Sequence, residues 1–462
     1  MIKNAPRKLL LLGISVFILT ACETNEFLEE NSKTEKEVKE NSLKPYEKWY
    51  SENNMPELEA VISEELSVPI QELQSKASLE KRQVKKPVYV HYMPWFQSKE
   101  IDGYWGQHWT MTNQNPDYIN SNGERQIASY YYPKIGPYST NDKDLQQYHL
   151  LLMKLSGIDG VIFDWYGIRD VRDFNNIKEG MESFLKELNK TDMEFAVMYE
   201  DRVVHEQGRG LSQIQISQAK NDLQYIESAY FDMGNYIRIN NKELLMIFGP
   251  NYITEKEDWT QILRSMKKEY NVLPLWNSQD IIGSENTKGE FAWIDKDHLM
   301  TLDGYYNYNV DFDNDIIGGV SYPGFHDFYV EGGWKSPLSN SWIIEHSKGK
   351  PLKETFLKSR RHPVDFIQVA TWNDFGEGTM VEPTNEFGYK YLKQLQKLTG
   401  VSYKPRDLRI PYYIYKIKKQ YPKKKFVQFL ANRAYKYAMR GRLKRARLLV
   451  SVLLIYYGDY YL

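Results

Sequence analysis

Val364-Asp365-Phe366-Ile367-Gln368-Val369-Ala370-Thr371-Trp372-Asn373-Asp374-Phe375-Gly376-Glu377-Gly378-Thr379-Met380-Val381-Glu382-Pro383 joins an apolar run to a loop that carries two carboxylates three residues apart. The run from Val364 to Ala370 reads as a buried strand, and Gly376 and Gly378 keep the residues after it from continuing as a helix. Asp374 and Glu377 are therefore expected on a loop at the end of a strand. Two carboxyl groups so placed suit acid/base work, one protonated and the other ionised. The same spacing also fits a helix entry, with Asp374 as its cap and Glu377 in the first turn.

Working outward, short apolar runs alternate with longer amphipathic stretches from Pro87 onward. Candidate strands are Val88 to Trp95, Gly160 to Trp165, Glu194 to Glu200, Glu243 to Phe248, Val272 to Trp276, Met300 to Tyr306, Gly319 to Tyr322 and Asp365 to Thr371. Helical periodicity lies between several of them, for instance over Asp144 to Leu155, Ile177 to Leu188, Ser212 to Phe231 and Trp259 to Tyr270. The fold class this predicts is α/β, a (β/α)8 TIM barrel over residues 87–400. That span of roughly 310 residues exceeds the ~250 typical of such a barrel, the excess falling after the first strand and around the sixth and seventh. With 462 residues, 42% of them apolar, the chain has room for such a domain and more.

The strand ends share a character. They read His91-Tyr92-Met93-Pro94-Trp95, Asp164-Trp165-Tyr166-Gly167, Tyr199-Glu200-Asp201, Trp276-Asn277, Tyr305-Tyr306-Asn307 and Trp372-Asn373-Asp374. In a barrel of this kind the active site lies at the C-terminal ends of the strands. Aromatic faces there stack on the apolar faces of sugar rings, while Asp, Glu and Asn bond the hydroxyls. A polysaccharide or oligosaccharide is therefore the expected substrate, and the carboxylate pair then fits cleavage of a glycosidic bond. Tyr92, Trp95, Asp164, Trp165, Glu200, Tyr306, Trp372, Asn373 and Glu382 are the expected sugar-binding residues, with Asp374 and Glu377 catalytic. Since 14% of all residues are aromatic, part of this concentration follows from composition alone.

The two ends of the chain suggest where it works. A basic start, Met1-Ile2-Lys3-Asn4-Ala5-Pro6-Arg7-Lys8, precedes an apolar run from Leu9 to Leu19 that is too short to span a bilayer, the pattern of an export signal over residues 1–21. Leu19-Thr20-Ala21-Cys22 resembles the lipobox of bacterial lipoproteins. Cys22 is the single cysteine, which excludes a disulfide framework and a cysteine metal cluster. The expectation is a protein held to the bacterial cell envelope by lipid on Cys22, at the outer membrane rather than the inner, with residues 22–86 as a polar tether. Residues 401–462 hold sixteen Lys or Arg, two Asp and no Glu, and so carry +14 against −15 for the rest of the chain. They read as a basic helical appendage over Ile410 to Lys419, Lys425 to Arg440 and Leu443 to Tyr457. A face resting on anionic lipid or charged glycan and a bundle with its lysines in water both fit that charge. Nucleic acid is not an expected partner.

The eight histidines form no zinc-binding pair. Asp311-Phe312-Asp313-Asn314-Asp315 starts like a calcium loop, but Ile316 replaces the turn glycine and no Glu stands at the twelfth position. No metal and no cofactor is expected.

Taken together, His91-Tyr92-Met93-Pro94-Trp95, Tyr131-Tyr132-Pro133-Lys134-Ile135-Gly136-Pro137-Tyr138-Ser139, Gly160-Val161-Ile162-Phe163-Asp164-Trp165-Tyr166-Gly167 and Trp372-Asn373-Asp374-Phe375-Gly376-Glu377-Gly378-Thr379 with Glu382-Pro383 resemble the glycoside hydrolase family 71/99 group over residues 87–395. The resemblance implies a (β/α)8 barrel without cofactor. Family 99 enzymes are endo-acting α-mannosidases and α-mannanases with Glu at both positions of the pair. There the first carboxylate acts as base on the sugar's own 2-hydroxyl, giving a 1,2-anhydro intermediate, and the second protonates the leaving oxygen and then activates water. The resemblance assigns these roles to Asp374 and Glu377. Asp374 departs from that pattern and is similar to family 71, the endo-α-1,3-glucanases, whereas Gly378-Thr379 and Glu382-Pro383 are similar to family 99. The expectation is an envelope-anchored hydrolase of α-mannan-like or α-glucan chains; the alternatives are a lipoprotein that binds glycan without cleaving it and a protein of envelope polysaccharide synthesis.

Overall fold

The computed structural model describes residues 86–457 except 203, 206–211 and 312–314. Residues 1–85, which include the expected export signal, Cys22 and all but the last residue of the expected tether, and residues 312–314 of the acidic loop lie outside the described residues. The chain divides into two compact units, one formed by residues 86–146 and Leu152–Pro405, the other by Gln147–Leu151 and Arg406–Leu462, the latter described as far as Tyr457.

The larger unit is a closed (β/α)8 barrel. Its strands are β1 (Val88–Tyr92), β2 (Gly160–Trp165), β3 (Glu194–Tyr199), β4 (Lys242–Ile247), β5 (Tyr270–Pro274), β6 (Gly289–Phe291), β7 (Ile316–Ser321) and β8 (Phe366–Val369). All neighbouring pairs are parallel, with β1 between β2 (Tyr89↔Gly160) and β8 (Val88↔Ile367). The ring closes where Leu275 pairs with Phe291 and the Trp276 amide donates to the Phe291 carbonyl at 2.8 Å. Helices α1 (Lys143–Ser156), α2 (Phe174–Leu188), α3 (Ser212–Ile226), α4 (Lys256–Leu263), α5 (Leu299–Asp311), α6 (Lys350–Arg361) and α7 (Lys390–Thr399) alternate with the strands, and after β5 there are only two short helical turns, Gln279–Ile282 and Ser284–Asn286. These strands are buried on both faces, as a parallel barrel requires, so they read as continuous apolar runs.

One polar pair sits inside the barrel. His91 Nε2 lies 2.6 Å from Gln368 Oε1, and Gln368 Nε2 donates to the Ala292 carbonyl at 2.7 Å. Burial pushes His91 down to about 4, so the imidazole there is neutral.

The sixth strand is a correction. Met300 to Tyr306 belongs to helix α5, and the strand is the three-residue β6 before it. Leu302, Tyr305, Tyr306 and Asn309 are the buried positions, a spacing of three, four and seven that marks a helix despite the strand preference of tyrosine. β6 gives almost no periodic signal, and at Gly289 a side chain would meet the Ile316 carbonyl 1.9 Å away.

In the smaller unit, α8 (Arg409–Gln420), α9 (Lys425–Met439) and α10 (Leu443–Tyr457) pack through Ile410, Ile414, Ile417, Leu430, Ala434, Leu449 and Leu453. Arg447 and Asp407 form a buried ion pair at 2.7 Å, and Lys418 is held by Gln147 and Asn432, each at 3.0 Å. Among the described residues no helix is long and apolar enough to cross a membrane.

Candidate active site

The loop after β8 is set by its own hydrogen bonds. The Thr371 amide donates to the Thr379 carbonyl and the Val381 amide to the Thr371 carbonyl, at 3.0 and 3.1 Å, while the two threonine hydroxyls lie 3.0 Å apart. Thr371 Oγ1 accepts the Asp374 amide at 2.9 Å, and Asp374 Oδ1 accepts the Glu377 amide at 2.9 Å. Asp374 thus caps its own turn through one oxygen. Gly378 has φ 64° with the His326 carbonyl 2.8 Å from where a Cβ would stand, so only glycine fits there.

A second segment seals this loop. The His326 amide donates to the Glu377 carbonyl and the Phe328 amide to the Gly376 carbonyl, both at 2.8 Å. This brings Tyr329, whose hydroxyl donates to Glu377 Oε1 at 3.1 Å.

Asp374 and Glu377 open into a cleft of about 840 Å³ at the C-terminal ends of the strands, shared with Trp95, Asp164 and Glu200. These five are the expected residues that the structure brings together. The other six lie elsewhere. Tyr92 is buried against Phe163 and Phe184, and Trp165 against Tyr199 and Tyr225. Both sit one position from residues that face inward, since successive side chains on a strand point to opposite faces. Trp372 is fully buried, its amide donating to the His91 carbonyl at 2.7 Å. Asn373 bonds both the amide and the carbonyl of Met93, at 2.8 and 3.0 Å, and so ties the ends of β1 and β8 together. Glu382 accepts the Tyr138 hydroxyl at 2.7 Å. Tyr306, on α5, bonds Ser359 Oγ at 2.6 Å. These side chains support the barrel mouth and do not line the cleft.

The cleft also has walls that no strand-end motif announced. His108 stacks on Trp95 at 4.1 Å, lies 3.1 Å from Asp173 Oδ2 and meets the edge of Trp334 at 5.4 Å. Trp293 packs against His91 and Phe248 on another side. Trp293 follows the unannounced β6, and Tyr329 and Trp334 lie on the long loop after β7. The one available signal was the aromatic content of those loops. Tyr166 also lines the cleft, within hydrogen-bonding reach of Asp164 and Glu200.

Burial raises all four inner carboxyls above their ordinary range, and neighbouring carboxylates add to it. Asp164 goes well up, through burial and then through Glu200 and Asp374. Burial pushes Glu200 up to about 8 and Glu377 up to about 7, each against an opposing bond from a tyrosine hydroxyl. Asp374 also rises, through burial and Glu377, but the amides of Glu377 and Gly376 favour its charged form. Glu377 has no such amides. The amides thus lower the cost of a charge on Asp374, while burial and the neighbouring Glu377 raise it.

Stability should register these protons. The folded protein holds protons on these carboxyls that the unfolded chain has lost, so their contribution disappears as pH rises through the folded values. The buried His91 and His346, both lowered to about 4, act oppositely but only below the ordinary histidine value of 6.5. From pH 6.5 to 8 the stability is therefore expected to fall, by on the order of 3 kcal/mol. Urea denaturation at several pH values checks this, and a flat or rising profile above pH 6.5 would contradict it.

Asp222 of α3 holds two of the strand ends. Its Oδ1 accepts the Ile168 amide at 3.1 Å and its Oδ2 the Tyr199 hydroxyl at 3.2 Å. Tyr166 is two residues before Ile168, and Glu200 directly follows Tyr199. Asp222→Ala is expected to cost about 2–3 kcal/mol in urea denaturation through the two orphaned donors. Hydrolytic kcat/KM should drop about 10-fold or more, because misplaced groups react slowly. Unchanged kinetics would show that the clamp does not serve the cleft.

Among the described residues no three His, Cys, Asp or Glu converge closely enough to hold a metal ion.

Residues 83–314 match the model of glycosyl hydrolase family 99. The matched span ends before the β8 loop. The glycoprotein endo-alpha-1,2-mannosidase-like protein of Danio rerio is 22% identical over 329 residues, covering 64% of this chain and 70% of its own. The GH99 endo-alpha-mannosidase from Bacteroides thetaiotaomicron superposes with a TM-score of 0.54 at 18% identity, over 70% of this chain and 98% of that one. A glycoside hydrolase-like protein superposes with a TM-score of 0.51 at 13% identity, over 71% and 98% of the two chains.

Proposed function

Because the chain belongs to glycosyl hydrolase family 99, we propose that it hydrolyses α-linked glycans from within the chain, α-mannosidic linkages first and α-glucosidic ones as the second candidate. The observation that carries this reading is the Asp374/Glu377 pair at the mouth of the barrel, one carboxyl supplied with amide donors and the other with a single hydroxyl. Glu377 acts as the acid that protonates the leaving oxygen. Asp374 acts as the base, through the oxygen that does not cap the turn. The tryptophans and Tyr329 around the cleft supply stacking faces for the sugar rings. Lipid on Cys22 would hold the enzyme at the bacterial outer membrane, and Cys22→Ser would then move it from the membrane fraction to the soluble one.

The test is a screen of purified protein against α-1,2-, α-1,3- and α-1,6-linked mannans and α-1,3-glucan, with products sized by chromatography. Internal cleavage of at least one is expected. One observation favours the rival, a glycan-binding protein without turnover: Asp374 spends an oxygen on its own loop. Saccharide binding with no product across the whole panel would decide for it.

A further inference from the structure

Glu377 is not held by its own loop alone. The loop after β7 brings Asp327, Tyr329 and Lys335 against it, and Tyr329 and Lys335 line the cleft with it. The Trp334 and Lys335 amides both donate to the Tyr329 carbonyl, at 2.8 and 2.9 Å, which folds this loop back on itself. Lys335 Nζ then lies 2.7 Å from Oδ2 of the buried Asp327 and 4.7 Å from the centre of the Tyr329 ring. The Tyr329 hydroxyl in turn donates to Glu377 Oε1 at 3.1 Å. One ammonium thus meets both a carboxylate that acts on Glu377 and the ring that bonds it.

Resting on the reading of Glu377 as the acid of a glycoside hydrolase, we infer that Lys335 is a positioning residue for that acid, holding the Tyr329 ring so that its hydroxyl engages Oε1 and Oε2 carries the proton for the leaving oxygen. A carboxylic acid has one oxygen that bears the proton and one that accepts, so the oxygen already taken by a donor is the acceptor. An ammonium over a ring is attracted to its face, more strongly where water is excluded. The bridge to Asp327 fixes where that ammonium stands. It has a second effect. Glu377 is faced by Asp374 from its own loop, by Asp164 and Glu200 from the ends of β2 and β3, and by Asp327, Tyr329 and Lys335 from the loop after β7. Of these only Lys335 is positive. Removing its charge leaves Asp327 as one more anion, and Glu377 then keeps its proton to higher pH.

Two variants of the full chain test this, with thermal denaturation verifying the fold of each. Lys335→Met keeps the side-chain length and removes the charge, whereas Lys335→Arg keeps the charge and can still bond a carboxylate and lie over a ring. On an α-glycan that the wild type cleaves, Lys335→Met is expected to lose about 10-fold in kcat with KM within about 2-fold, and the alkaline limb of its pH profile should move up by about half a unit or more. On a glycosyl fluoride, whose departure needs no proton, the loss should stay within about 3-fold. Lys335→Arg should remain within about 3-fold of wild type throughout. Glu377 can also be titrated without turnover, by NMR of isotope-labelled glutamate side chains with Glu377→Gln identifying its signal. Lys335→Met should raise that midpoint and Lys335→Arg should leave it. Should Lys335→Met unfold, Lys335→Met/Asp327→Asn leaves no buried charge unpaired, and it should keep the kcat loss with a wild-type midpoint. In the folded single variants, an unmoved limb and midpoint, an equal loss on the fluoride, or an arginine variant as impaired as the methionine one overturns the inference. A rise in KM alone does so too, since it would make Lys335 a contact for substrate. The two readings fail separately. A raised midpoint in a protein that cleaves no α-glycan would sink the hydrolase reading alone, and cleavage with kcat, limb and midpoint unmoved in Lys335→Met would sink this one alone.

Discussion

Glu377→Gln is expected to lower kcat on a native α-glycan by about 100- to 10,000-fold, the range that a positioned general acid supplies, while the Kd for saccharide changes little. The glutamine keeps the shape of the side chain, and its carbonyl oxygen can still accept the Tyr329 hydroxyl, which lies 3.1 Å from Glu377 Oε1. What it lacks is a proton to give. The loss should therefore depend on the leaving group. A glycosyl fluoride needs no proton to depart, so its first step should fall far less than that of an oligosaccharide. The wild-type pH profile gives a second reading of the same group. Burial raises Glu377 to about 7, so activity should decline above pH 7 as the acid loses its proton, and Glu377→Gln should abolish that limb. Steady-state hydrolysis and calorimetry measure both effects, and near wild-type hydrolysis by the variant would remove Glu377 from the mechanism.

The loop that carries Glu377 was legible because its signals are local. An apolar run ends, two glycines forbid a helix, and two acids follow the run, Asp374 before the first glycine and Glu377 between the two. The barrel was legible for a similar reason, since parallel strands buried on both faces read as plain apolar runs. β6 was not, because a three-residue strand has no period to detect and the stretch after it, rich in tyrosine, imitates one. The binding residues divide along a different line. Sequence tells which residues end a strand but not which of two neighbours faces inward. Asp164 and Glu200 reach the cleft, whereas Trp165 and Tyr199, each adjacent to one of them, turn toward α3. Tyr329 and Trp334 were hidden for a third reason. They reach the site through backbone bonds between residues about fifty positions apart, such as His326 to Glu377, and no local pattern encodes such pairings.

Asp374→Asn separates the two readings of its position. As a turn cap, the residue needs only an oxygen that accepts the Glu377 amide, now 2.9 Å from Oδ1, and asparagine supplies one. Its backbone is held independently, by the Thr371 hydroxyl at 2.9 Å and by the Thr379 amide at 3.2 Å. The fold should therefore survive. Above pH 7 it should even gain stability, because a buried carboxyl raised by burial and by Glu377 no longer has to ionise. As the base, by contrast, the residue needs a second oxygen that takes a proton, and the amide nitrogen of asparagine cannot. The expected result is a fall of about 100- to 10,000-fold in kcat/KM with an unchanged or higher urea midpoint. Activity kept with stability kept would mean that Asp374 serves the turn alone and that Glu377 works with another carboxyl of the cleft. Activity and stability lost together would mean that the cap depends on charge. Only the split outcome, stable and inactive, fits an aspartate that uses one oxygen to shape its loop and the other for chemistry, with Asp374→Ala as the control that loses both.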